Sequence, residues 1–317
     1  MAQAGGAGRR YLLCQHGLAK GEPPVIDLDR IEAQLAAAVT EEAGSPRATV
    51  RPGPAPAPTP APAPTPSARP RRSRPRPAPA GVRELLELGL LDEVDARIAA
   101  TTDRLDQTTW ATMRALLHGR RDAARVGIDA LARLAQDGDR EALARAWTVR
   151  YWDALEWGSG DERHDVLDHC RERAYRFDDL SWWGNLTLLL ATMGKQDEAV
   201  RAFDQALPLA AGAPRDGVRL DVITNLVEAA TLLGDAARVA NAGRELRVAT
   251  GTLVVVGDGV VCKGSIDRYL GLVHAAVGQW GDAAEYFRSA ESAHQSLGAE
   301  RLLARTRQQA SGILAAA

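Results

Sequence analysis

From Val82 onward, apolar residues recur every three or four positions in stretches of about 10–15 residues, separated by short turns rich in Gly and Asp. That period puts the apolar side chains on one stripe of a helix, so the pattern predicts a succession of amphipathic helices packed on one another. One run breaks it. Residues 252–256 read as β-like and are closed by Gly257, Asp258 and Gly259, with no hairpin signal beside them. Near the N-terminus, residues 11–14 read as a small strand. Residues 29–39 read as a helix with Ile31, Leu35 and Val39 on one face. A head of some 45 residues is too short to bury a core of its own and must dock on something or stay loose.

A change of material separates this head from the helical body. Twelve of the 17 prolines lie between Pro52 and Pro79, mostly alternating with Ala. Proline lacks an N–H and fixes φ, so the stretch favours an extended, semi-rigid and disordered spacer. The expected organisation is a head over residues 1–45, a Pro/Ala/Arg-rich linker over 46–80, and a helical domain over 81–317.

Within that domain a spacing recurs. Gly194 is followed by Ala199, Phe203 and Ala206, and Gly278 by Ala283, Phe287 and Ala290. A third copy has Gly119, Ala124, Ile128 and Leu131. A fourth is degenerate, with Gly234, Val239 and Gly243. The spacing has a cause. Glycine ends one helix in the left-handed cap conformation, small alanines let the next helix approach closely, and the large apolar residue fills the wedge between repeats. A period near 35–45 residues points to a stacked array.

These offsets resemble the tetratricopeptide consensus, and Leu270 and Gly271 match its Leu-Gly pair. A closer likeness lies in residues 254–272, 278–287 and 297–307. They resemble the end of the repeat domain that forms the C-terminal half of actinobacterial LuxR-type ATPase regulators and of some multidomain adenylate cyclases. The resemblance spans roughly residues 90–314. It implies an all-α, tetratricopeptide-like α-solenoid with a regulatory, protein-binding or signal-sensing role. The ATPase, helix-turn-helix and cyclase parts of those proteins have no counterpart in the head and linker, so their activities are not carried over.

Charge sharpens the division. Residues 1–80 carry 11 Lys and Arg against 6 Asp and Glu, and the remainder 28 against 35. Arg69, Arg71, Arg72, Arg74 and Arg76 form a cluster suited to an electrostatic tether to nucleic acid. No aromatic residue is interleaved with them, so the stacking used on single strands is missing. The three cysteines, Cys14, Cys170 and Cys262, show neither zinc spacing nor a disulfide framework, which fits a reducing cytoplasm. Arg9, Arg10 and the Leu12-Leu13-Cys14 run imitate export signals, yet the stretch after them is polar. No apolar run approaches the ~18–20 residues that span a bilayer. A soluble, cytoplasmic protein without membrane contact is expected.

Catalytic constellations are scarce. Residues 259–265 imitate a phosphate loop, but Lys263 precedes Gly264, the reverse of the order that cradles phosphate. His164 with Asp168, and Asp165 with His169, are spaced to share helix faces, each offering only two metal ligands. No catalytic, cofactor or metal residue is assigned. Five of the seven tryptophans fall between Trp147 and Trp183, the best place for an aromatic anchor groove around Trp182 and Trp183. Asn185 and Asn225 precede their turn glycines by nine residues, and Arg268 precedes Gly278 by ten. In a tetratricopeptide array, positions near these face the concave surface and hold a peptide backbone or carboxylate. The expected function is a non-enzymatic module binding a partner protein segment. The alternatives are a transcription-associated regulator tethered through the Arg-rich linker, or an accessory protein of a larger enzyme.

Overall fold

The structure, a computed structural model, describes residues 81–136, 138–257 and 259–314. The sequence-based expectations for residues 1–80, including the arginine cluster, lie outside the described residues. Those described are mostly helical. In chain order they form α1 (Val82–Glu87), α2 (Leu91–Ala99), α3 (Arg104–Leu117), α4 (Arg121–Gln136), α5 (Arg140–Trp157) and α6 (Gly160–Arg171). A π-helical turn (Glu172–Arg176) leads into α7 (Leu180–Thr192), α8 (Gln196–Gly212), α9 (Gly217–Leu232) and α10 (Ala236–Ala242). A 3-10 turn (Gly243–Ala249), strands β1 (Leu253–Val256) and β2 (Val261–Ser265), and helices α11 (Ile266–Ala276), α12 (Trp280–Ser296) and α13 (Glu300–Leu314) complete the chain.

Local chemistry sets these boundaries. Asp103, Asp139, Asp216 and Asp235 each accept backbone N–H bonds at the start of a helix. Ser159 and Glu162 close a reciprocal capping box at the start of α6. The turn glycines Gly194 and Gly278 adopt φ values of 71° and 75°, the left-handed conformation that ends α7 and α11. Behind each, Ala199, Phe203 and Ala206, and Ala283, Phe287 and Ala290, are buried as their spacing requires.

Consecutive helices pack on one another from α3 to α10 and from α11 to α13, and α9 also packs on α7 and α11. Two further sets of contacts cross the array. Strand β2 touches α3 and α5, and α13 touches α3. A stack held by neighbour contacts alone would have neither. Arg301 on α13 donates to Glu156 Oε2 at 2.9 Å and to the Glu156 carbonyl at 2.6 Å, while Arg305 pairs with both Glu156 and Glu228. The last helix is thereby fastened to the end of α5.

The sequence carries no hairpin signal, and here the structure departs from it. β1 and β2 pair antiparallel. The hairpin is buried on both faces. Leu253, Val255 and Cys262 join a cluster with Leu86, Trp110, Met113 and Leu297, whereas Val254, Val260 and Val261 join the larger core running through α4 to α13. A strand between two apolar layers has no polar face, so the alternation that marks a strand is missing. Among the described residues no helix is long and apolar enough to cross a membrane.

Candidate functional site

The ladder partners Val254↔Gly264 and Val255↔Cys262 leave Lys263 as an extra residue in β2. Such a bulge re-aims a side chain, and Lys263 points into the helical interior. Gly264 makes this possible: its φ is 88°, and a Cβ there would lie 2.3 Å from His294 Nε2.

Lys263 Nζ donates to Asp221 Oδ1 at 2.8 Å, the Asp221 carbonyl at 3.0 Å, Thr224 Oγ1 at 2.7 Å and Asn225 Oδ1 at 2.7 Å. Asn225 Nδ2 donates onward to Asn185 Oδ1 at 3.0 Å, and Tyr151 donates to the Asn185 carbonyl at 3.0 Å. Beside this chain, Arg268 Nη1 and Nη2 bind the two Glu228 oxygens at 3.1 and 3.2 Å, and Nη1 also donates to Gln309. Burial, the largest influence on Glu228, pushes its pKa up. The charges of Arg268, Arg305 and Lys263 overcome it and leave the carboxyl at about 2, ionised at neutral pH.

The expected partner-facing residues are all here, but none faces outward. Trp182, Trp183, Asn185, Asn225 and Arg268 are buried. Trp182 sits edge-on to Tyr151 and His169, Trp183 Nε1 donates to Asp178 at 3.0 Å, Asn185 and Asn225 bind each other, and Arg268 holds Glu228. The expectation that they form an open concave surface is corrected: all five are buried within the chain, and the hairpin's Lys263 takes up Asn225. Lys263 was missed as a polar anchor. Its signal is a lone lysine directly after the apolar run 260–262, followed by a glycine.

The His/Asp pairs on α6 do not form either. His164 Nδ1 lies 2.7 Å from the Gly160 carbonyl, and His169 stacks flat on Trp147 with ring centroids 3.8 Å apart. Burial, followed by the Arg173 charge, lowers His169 to about 4. Asp165 and Asp168 face Arg150 and Arg171 instead. Among the described residues no group of three His, Cys, Asp or Glu could hold a metal ion. Burial raises both Cys170 and Cys262, the latter to about 11, so both remain thiols at neutral pH.

Three features of the described surface and interior could take a ligand. An open cleft of about 480 Å3 between the 3-10 turn, α11 and α12 is lined by Asp267, Asp282, Glu285, His274, Arg247 and Ser289. Two of its pairs are closed on each other: Ser289 donates to Asp267 at 2.5 Å, and His274 Nε2 accepts from Arg247 at 3.2 Å. That arrangement leaves the serine without a histidine base. A second, smaller cavity lies beside Lys263 and Arg268.

The third feature is an exposed aromatic pair. Tyr175 and Phe177, at the π-helical turn, are 65% and 53% exposed. Tyr175 packs edge-on against Trp183, while Arg173 and Arg176 lie over the Phe177 ring at 5.0 and 5.3 Å. Asp178, next in sequence, takes φ 51°, uncommon outside glycine, and accepts the Trp183 indole N–H.

Comparisons of the chain with protein-family models, with curated proteins and with solved structures found no match.

Proposed function

We propose that the helical body is a non-enzymatic regulatory module of tetratricopeptide-like solenoid type that binds a segment of a partner protein. The observation that carries this reading is the Tyr175/Phe177 pair. Two large aromatic side chains stand exposed on a turn braced by Trp183, Asp178 and two arginines. Rigid aromatic residues anchor interfaces at low conformational cost, and π-turns gather at functional sites. The repeated Gly/Ala/Phe offsets support the solenoid class. With the Asn185–Asn225 pair closed over by Lys263, the partner segment docks on the outer aromatic edge.

Affinity capture with the full chain tests this. The partner retained by the wild type is expected to be lost from Tyr175→Ser/Phe177→Ser and kept by Leu209→Ser, a half-exposed control on α8. Retention by the double variant would sink the reading.

A second reading rests on Arg69, Arg71, Arg72, Arg74 and Arg76, which would tether the body to nucleic acid. It requires salt-sensitive binding that disappears when the five become Ala. No binding at low salt removes it. The third role, as accessory to an enzyme through the head, requires that deleting residues 1–45 abolish capture.

A further inference from the structure

The Tyr175/Phe177 edge continues along α6. Asp161, Asp165, Asp168, Glu172 and Tyr175 recur every three or four residues, and all five are exposed. That spacing puts them on one helix face, about 20 Å long at 1.5 Å per residue. The α6 part of the face is acidic. Arg150 and Arg171 stand 3.9 and 3.6 Å from Asp165 and Asp168, too far for hydrogen bonds, and leave these carboxylates 68% and 83% exposed. Residues 161–179 together hold seven acidic and four basic residues. At the far end the character changes to two aromatic rings, with Arg173 and Arg176 as donors beside the phenol.

The chain carries a segment that matches both parts. Residues 69–79 hold Arg69, Arg71, Arg72, Arg74 and Arg76, followed by Pro77 and Pro79. Extended at ~3.1 Å per residue, Arg69 to Arg76 covers about 22 Å, close to the length of the face. A proline presents a carbonyl and no N–H, so the prolines suit the end that offers donors and rings. Aromatic grooves take proline-rich segments in this way. The arginines suit the acidic end, and Arg173 and Arg176 would repel them at the other.

The junction brings the segment to the aromatic end. Residues 69–80 meet the described residues at Gly81, just before α1. The Arg83 guanidinium fills the space that a Cβ on Gly217, at the start of α9, would take. A Cβ at Gly184 on α7 would lie 3.2 Å from Val222 Cα on α9, and Asn185 bonds Asn225, so these two helices run side by side in one direction. Gly217 therefore lies about one helix spacing, ~8–10 Å, from the start of α7, and the Tyr175/Phe177 turn leads into α7. Pro75 to Gly81 reaches ~19 Å when extended, enough to cover that separation.

We propose that residues 69–79 dock on this face within their own chain, the prolines against Tyr175 and Phe177 and the arginines along the α6 carboxylates. The inference rests on the reading of the Tyr175/Phe177 edge as a docking surface and adds its regulation. A partner segment has to displace the chain's own.

Trypsin reads this in the full chain. Arg69, Arg74 and Arg76 each precede proline and resist cleavage, whereas the bonds after Arg71 and Arg72 are open to it. Cleavage there, scored by mass spectrometry, is expected to be roughly tenfold slower than in a synthetic peptide of residues 66–80, the undocked fraction setting the rate. Tyr175→Ser/Phe177→Ser and Asp165→Asn/Asp168→Asn should each bring the rate back toward that of the peptide, with Tm unchanged because all four positions are exposed. Salt at about 1 M, which screens beyond about 3 Å, should do the same. Leu209→Ser keeps the protection. Cleavage of the wild type as fast as the peptide overturns the proposal, and so does protection that survives in both double variants. Protection lost on dilution overturns docking within one chain and makes a second copy the occupant. If Tyr175→Ser/Phe177→Ser loses the partner while cleavage stays slow, this inference fails alone. If it frees cleavage and keeps the partner, the partner reading fails and this one stands.

Discussion

Lys263 donates to Asn225 Oδ1 at 2.7 Å, so the hairpin fills, from within the same chain, the place where a bound partner's backbone was expected. The bulge and the left-handed Gly264 make the interaction possible, and the helices supply four acceptors for three ammonium protons. The body thus folds around a built-in occupant, and its interior polarity belongs to stability before it belongs to recognition.

The pair Lys263–Asp221 is almost wholly removed from water, each side chain being 2% exposed or less. Removing one partner strands the other as a buried charge, a loss of about 3–5 kcal/mol. Lys263→Met is therefore expected to lower unfolding stability by that amount in urea titrations. Lys263→Met/Asp221→Asn should recover part of it, because no full charge remains uncompensated. If the double variant loses the sum of the two single losses, the two groups are not coupled as described.

The closure through Glu156 should behave more mildly. Arg301 and Arg305 retain contact with solvent, so Glu156→Gln is expected to cost only about 1 kcal/mol. Its signature is local: faster amide exchange along α13, with α7 to α9 unchanged. Faster exchange throughout would mean that the two ends are not a separable joint.

Much of this was legible beforehand. The glycine turns, the buried Ala and Phe positions and the helix periodicity follow from local rules that act within one helix pair. The hairpin did not, because Leu253, Val254 and Val255 alternate between two apolar cores and present no polar face to read. Asn185, Asn225 and Arg268 are singled out by spacing as partner-facing positions, but each is buried and bound within the chain, Asn225 by a hairpin lysine some 40 residues later. Spacing records which face a residue lies on; it does not record what covers that face. Lys263 was read only against the phosphate-loop pattern, which hid its simpler meaning as a buried cation needing acceptors.

Two glycines separate steric demand from mere tolerance. A Cβ at Gly271 would lie 2.8 Å from the Phe287 ring, the side chain that wedges α11 against α12. Gly271→Ala is expected to destabilise by about 1–3 kcal/mol through overpacking, with partial relief from Phe287→Leu. Gly281 on α12 has nothing within 4 Å of such a Cβ, so Gly281→Ala should be neutral or stabilising by up to about 1 kcal/mol. Thermal unfolding of the two variants checks the contrast, and similar losses at both sites would refute it.

Acid should weaken the fold chiefly through His294. Its Nε2 accepts the Ser265 N–H at 2.9 Å, and its Nδ1 lies 3.1 Å from Thr306 Oγ1, whose own proton goes to the Leu302 carbonyl. The neutral ring with its proton on Nδ1 satisfies both contacts. A second proton on Nε2 would break the Ser265 bond. Burial, joined by the Arg268 charge, lowers this histidine from 6.5 to about 3. The unfolded chain takes up the proton near 6.5 and the folded chain does not, so the stabilisation is complete above 6.5 and drains away as pH falls toward 3. The slope approaches about 1.4 kcal/mol per pH unit. His169, lowered to about 4 but partly exposed, adds a screened contribution of the same sign. Glu228, held at about 2, contributes only below 4.5, so the interval from 6.5 to 4.5 isolates the histidines. Urea unfolding across that interval should show wild type losing about 2 kcal/mol or more, and His294→Gln, which can still accept and donate, losing markedly less. Parallel slopes for the two proteins would show that this ring is free to protonate in the folded state.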